Sequence, residues 1–77
     1  MEETLIAIVS GLVEDTDSIK VEKEEPNENG LVVYHLHVAP EDMGRVIGKQ
    51  GRIARAIRNI MRAAAGRKNE RIMVEID

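Results

Sequence analysis

The chain has 77 residues, no cysteine, one aromatic residue (Tyr34) and a formal net charge of −3. That length supports a single core, so one domain over residues 1–77 is expected, and without cysteine neither a disulfide nor a thiolate-held metal can brace it. No apolar run approaches the ~20 residues that cross a bilayer, and acidic Glu2 and Glu3 are the wrong chemistry for a signal or transit peptide, so a cytoplasmic protein is expected.

In chain order, residues 3–13 predict a helix. Leu5, Ile8, Val9 and Leu12 recur at helical spacing, and Ile6 and Val13 widen the stripe. That arc is broader than one contact needs, and so small a core gains from a partner, so a homodimer is expected. A turn over 15–18 leads to a short strand, 19–25, in which Ile19, Val21 and Lys23 alternate with Lys20, Glu22 and Glu24. Pro26-Asn27-Glu28-Asn29-Gly30 has hairpin-loop chemistry. The strand 31–38 puts Val32, Tyr34, Leu36 and Val38 on one face and His35 and His37 on the other.

Pro40, Glu41 and Asp42 suit the first turn of a second, short helix whose apolar face is Met43, Val46 and Ile47. Gly48 and Gly51 interrupt it. A third helix then runs from about Arg52 to Ala65, with Gly66 as its C′ residue. Its apolar stripe is Ile53, Ile57, Ile60, Met61 and Ala64, with Arg55, Arg58 and Arg62 opposite. Residues 71–76 form a last strand with Ile72, Val74 and Ile76 inward. The order αββααβ predicts an α+β fold. The five-residue loop makes the first two strands antiparallel, and the helical crossover lets the last lie parallel to the second. The result is a three-stranded mixed sheet with three helices packed on one face.

Charge follows the same division. Residues 1–42 hold eleven acids against Lys20 and Lys23, whereas residues 43–77 hold nine bases against three acids. A chain so polarised either presents a basic face to a polyanion or pairs its acids and bases internally. The stretch Val46-Ile47-Gly48-Lys49-Gln50-Gly51-Arg52 favours the first. Glycines at both ends of a turn allow unusual φ and close approach of a phosphate backbone. The helix that starts there directs its free N–H groups and dipole at the turn, and Lys49 and Arg52 add full charges. Such a site holds sugar-phosphate without reading bases. Arg55, nearest the turn, can extend that track; Arg58 and Arg62 suit a solvated helix face.

Other chemistries find little support. His35 and His37 have a spacing that can bind metal, but no third ligand has a sequence reason to join them, so no metal site is expected; they are expected to face solvent or a partner's sheet. Gly44 to Lys49 is one residue short of a phosphate-binding nucleotide loop, with Gln50 where a magnesium-binding hydroxyl belongs. No serine comes with a plausible histidine–acid pair. Neither an enzyme nor a cofactor is expected. With one aromatic, the chain also cannot build a base-stacking platform.

The element order together with VIGKQGR resembles the KH family in its type II form, over essentially the whole chain. The stretch APEDMGRVIGKQGRIARAIR is similar to that of small bacterial single-KH proteins of the KhpA (YlqC) family. The resemblance implies a groove for about four nucleotides of single-stranded RNA, gripped by Gly48, Lys49, Gln50 and Gly51, with Val46 and Ile47 near an aliphatic floor. It implies an RNA chaperone or post-transcriptional regulator, and as partners a second copy and a KH-containing protein of the Jag (KhpB) type. A departure is Ala54, standing where many KH domains have an aliphatic residue, with the bulk at Ile53 instead.

Overall fold

The computed structural model describes residues 1–76. Its α-helices are α1 (Glu2–Ser10), α2 (Met43–Ile47) and α3 (Arg52–Gly66), and its strands are β1 (Lys20–Lys23), β2 (Leu31–His37) and β3 (Arg71–Ile76). The sheet order is β1-β2-β3, with β1 antiparallel and β3 parallel to β2, so β3 is an edge strand. This is the predicted α+β architecture.

Alternation sets which side of the sheet is buried. Tyr34 and Leu36 of β2 and Ile72 and Val74 of β3 are buried. They meet Leu5 and Val9 of α1, Val46 of α2, and Ile57, Met61 and Ala65 of α3 in one core. On the opposite side, His35 lies between Glu24 (2.9 Å) and Glu75 (3.4 Å), and His37 approaches Glu22 (3.3 Å). The histidines thus contact carboxylates of the flanking strands, a cross-strand pairing that the spacing along β2 did not reveal.

Two helix ends and one helix face differ from expectation. α1 ends at Ser10, whose hydroxyl donates back to the Ile6 carbonyl (2.7 Å); Gly11, a weak helix former, follows. A turn closed by Leu12 and Val13 N–H donation to the Val9 carbonyl then carries Val13 into the core. Gly66 is not the C′ residue. Backbone hydrogen bonds run from Asn69 N–H to Gly66 and from Glu70 N–H to Ala65 (2.9 Å), and Asn69 has φ 58°. This is a Schellman closure with asparagine in the left-handed position. The buried side of α3 is also rotated: Ala54, Ile57, Met61 and Ala65 face inward, and Ile53 and Ile60 are partly exposed.

The hairpin loop behaves as its composition suggests. Asn27 Oδ1 accepts from Asn29 and Leu31 N–H, and Gly30 supplies a positive φ of 78°. Between α1 and α2, Asp42 is 1 % exposed, and its carboxylate accepts N–H donation from Glu14 (3.2 Å) and Asp15 (3.1 Å). It was expected to serve the start of α2. Instead it ties the segment after α1 to the base of α2, across a sequence separation no local pattern could reveal.

Candidate nucleic-acid interface

α2 is held by Val46, which is wholly buried. Val46 therefore offers no surface to a ligand, contrary to its expected place beside a groove floor, and acts by seating α2 on the core. Ile47 is 38 % exposed and remains available at the surface. Gly48 caps α2, its N–H bonding to the Gly44 carbonyl (2.9 Å), with φ 72° and ψ 178°. That combination is essentially confined to glycine. A Cβ at this position would lie 2.3 Å from Ile53 Cγ1 and 2.8 Å from Ile53 Cβ. The first glycine thus makes room for Ile53, not for a ligand, and the bulk displaced from position 54 to 53 has a structural use as the lid over the turn.

Gln50 (φ 58°, ψ 26°) and Gly51 (φ 74°, ψ 15°) are both left-handed, and the Gly51 N–H closes the turn on the Gly48 carbonyl at 3.3 Å. A Cβ on Gly51 would meet nothing within 4 Å, so its backbone faces open space. Lys49, Gln50, Arg52 and Arg55 are exposed around it. The structure thus brings the expected residues 47–52 and Arg55 to one end of α3.

Among the described residues, internal pairing accounts for little of the basic charge. Arg45 is neutralised by Glu14 (2.9 Å) and lies 4.0 Å from Asp42. Among the described residues no carboxylate lies within ion-pair distance of Lys49, Arg52 or Arg55. Three cations around an exposed turn at the start of a fifteen-residue helix make a local positive potential, which favours anions with spaced charges.

Arg58, expected on a solvated face, is exposed and also reaches the sheet: its Nε donates to the Val74 carbonyl of β3 at 3.1 Å. The rotation of α3 described above turns Arg58 to the flank of the buried stripe, beside β3. Only the spacing of the arginines hinted at this.

The sequence that builds this turn and helix has matches among known proteins. The family described as KhpA/KhpB, KH domain, matches residues 2–76. The chain belongs to that family. Similar over 76 residues, and over 99 % of this chain, are proteins named RNA-binding protein KhpA from Clostridium acetobutylicum (46 % identical, 99 % of that protein) and Listeria monocytogenes serovar 1/2a (43 %, 97 % of that protein). One of the same name from Treponema pallidum is 43 % identical over 94 % of its length. No solved structure gives a significant match. The family assignment and the αββααβ sheet agree, so the type II KH architecture and the resemblance drawn from VIGKQGR stand together. No helix among the described residues is long and apolar enough to cross a membrane.

Proposed function

We propose that this chain is a non-enzymatic RNA-binding module of the bacterial cytoplasm that grips the sugar-phosphate backbone of single-stranded RNA, about four nucleotides long, at the Gly48–Gly51 turn. The observation that carries the proposal is the set Lys49, Arg52 and Arg55, which has no carboxylate partner among the described residues, around the open backbone of Gly51. The names of the relatives support RNA as the polyanion. Gly51 admits a phosphate, Lys49 and Arg52 neutralise it, Arg55 extends the track along α3, and Ile47 offers an apolar contact beside it. Gln50 lies in the exposed middle of the turn and adds a neutral donor and acceptor.

One domain engages few phosphates, so its affinity is modest and pairing of domains raises it. Of the apolar arc on α1, most is taken up by the core, but Ile6, Ile53 and Ile60 stay 36–51 % exposed on α1 and α3. That supports a homodimer, or pairing with a second KH-containing protein of the Jag (KhpB) type. In such assemblies the module acts as an RNA chaperone or post-transcriptional regulator.

The test is the double substitution Lys49→Asp/Gln50→Asp. Both side chains are exposed, so no core contact is lost, and aspartate tolerates the left-handed backbone at position 50. Binding of a short single-stranded RNA should vanish while the melting temperature and oligomer size stay unchanged. Wild-type RNA affinity in this variant would refute the proposal and leave a protein–protein adaptor built on the same fold.

A further inference from the structure

The acidic half of the chain takes no part in gripping a polyanion. We infer that a cleft around Tyr34, at the end of the molecule remote from the Gly48–Gly51 turn, is a docking site for a basic side chain, arginine or lysine, carried on an extended segment of a protein partner. The inference stands independently of what the turn binds.

Tyr34 supplies the first observation. Its ring belongs to the core, and the residue is only 3 % exposed. A buried tyrosine hydroxyl ordinarily finds a partner. This one makes no hydrogen bond among the described residues. No fully buried polar side-chain atom among them is left without a partner, so the tyrosine oxygen reaches the surface. It does so where two depressions of about 450 and 420 Å³ adjoin, since Tyr34 and Lys23 line both. Pro26, Glu70 and Arg71 border the first, and Glu2 and Glu3 the second.

Charge decides what fits there. Burial first, and then the Glu70 and Glu2 carboxylates, raise the pKa of the hydroxyl, which marks its surroundings as negative. The phenol keeps its proton at neutral pH, and its oxygen still accepts hydrogen bonds. A guanidinium or ammonium only donates, so it matches a hydroxyl oxygen flanked by two carboxylates; a phosphate is repelled by them. Lys23 and Arg71 are exposed at the rim, and neither they nor Glu2 and Glu70 form an ion pair among the described residues. Their donors suit the peptide carbonyls on either side of the basic residue.

Shape favours a chain over a small ion. Two adjoining open depressions form an elongated trough, whereas a small-molecule site encloses most of its ligand. The wider field agrees, because residues 1–42 hold eleven acids against two bases and attract a cationic segment. Glu70 lies beyond the end of α3, whose fifteen residues span roughly 22 Å from the turn. The two sites therefore stand at opposite ends of one helix and can be filled together, which would let the module link a basic protein to a nucleic-acid strand.

The experiment titrates the 15N-labelled protein with a capped eight-residue peptide of glycine and serine holding one central arginine, followed by amide chemical shifts. Saturable shifts should appear at Gly30, Tyr34, Glu70 and Arg71 and not at the turn. The same peptide with citrulline, neutral but of the same shape, should bind at least ~10-fold more weakly. Tyr34→Phe, which keeps the ring, and Glu70→Gln, which keeps the backbone bond of residue 70 to Ala65, should each weaken the arginine peptide about 5- to 50-fold. Glu41→Gln, at an exposed acid ahead of α2, should leave its affinity unchanged, as should Lys49→Asp/Gln50→Asp at the turn. Thermal melts establish that each variant is folded. Equal affinity for the two peptides, unsaturable shifts spread over all the acidic residues, or unchanged affinity in both cleft variants overturns the inference. Shifts of the cleft amides by octauridine RNA in place of the arginine peptide would make this an anion site and overturn it too. Each of these results leaves the reading of the turn untouched.

Discussion

Replacing Gly48 by alanine should damage the protein more than replacing Gly51, although both glycines have positive φ. Two effects combine at Gly48. Its φ of 72° with ψ 178° lies in a region that costs an L-residue about 1–3 kcal/mol. The new Cβ would also stand 2.3 Å from Ile53 Cγ1, 2.8 Å from Ile53 Cβ and 3.0 Å from Ile53 N. The first contact could ease by rotation of the side chain, but the backbone nitrogen belongs to the first turn of α3 and cannot move alone. Overpacking of this kind adds about 1–3 kcal/mol. The combined loss of about 2–6 kcal/mol is a large part of the ~4–12 kcal/mol that holds a domain this size. At Gly51 the backbone is ordinary left-handed helix and the Cβ would be unobstructed, so the loss is only about 1–2 kcal/mol. By the usual conversion for small domains, Gly48→Ala should lower Tm by at least ~10 °C and Gly51→Ala by roughly 5–15 °C, with Gly48→Ala the worse of the pair. Thermal unfolding followed by circular dichroism measures both. Adding Ile53→Ala to Gly48→Ala should restore part of the loss, since it removes the 2.3 Å contact and leaves the other two. Equal melting of the two glycine variants, or no recovery in the double variant, would mean that Ile53 does not dictate glycine at position 48.

Asp42→Ala should cost about 2–4 kcal/mol, because the N–H groups of Glu14 and Asp15 lose a charged acceptor in a part-buried setting; Asp42→Asn, keeping one acceptor oxygen, should cost less, and an unfolding free energy from urea titration within ~0.5 kcal/mol of the parent for Asp42→Ala would contradict that role. Burial first, and then the charges of Glu70 and Glu2, raise the Tyr34 hydroxyl above its ordinary 10.0. The folded state therefore holds that proton longer than the unfolded chain. Its contribution is complete below about pH 10 and is lost as pH climbs through the raised value. The urea midpoint should accordingly fall more steeply above pH 10 in the parent than in Tyr34→Phe, and parallel profiles would exclude the linkage. For RNA affinity, engagement of two to four phosphates predicts a log–log salt slope of about −1.5 to −3 per domain; a flat dependence would exclude a phosphate grip, and one steeper than about −5 would bring the whole arginine row of α3 into contact. Light scattering up to about 100 μM should give a dimer mass and a Tm that rises with concentration, whereas a monomer throughout would remove self-association.

Much of this molecule is decided within short stretches of sequence. Alternation in 31–38 and 71–76 assigned Tyr34, Leu36, Ile72 and Val74 to the core because side chains in a strand repeat every second residue, whatever packs on them. The loop 26–30 is likewise local: Asn27 Oδ1 bonds groups two and four residues away. The Gly48–Gly51 turn was legible for the same reason, since left-handed backbone and a following helix are properties of adjacent residues. What the tertiary structure alone decided are the contacts made at long sequence separation. A stripe on α3 allows several rotations, and only the sheet selected Ala54 and Ala65 for the inside and left Ile60 half exposed. Gly66 and Asn69 are both plausible helix ends, and the Asn69 closure prevailed as the chain turned from α3 into β3. By sequence pattern Asp42 belongs to a helix start and Arg58 to a solvated helix face. Each found backbone partners 16 to 28 residues away, which become neighbours only when the elements have packed.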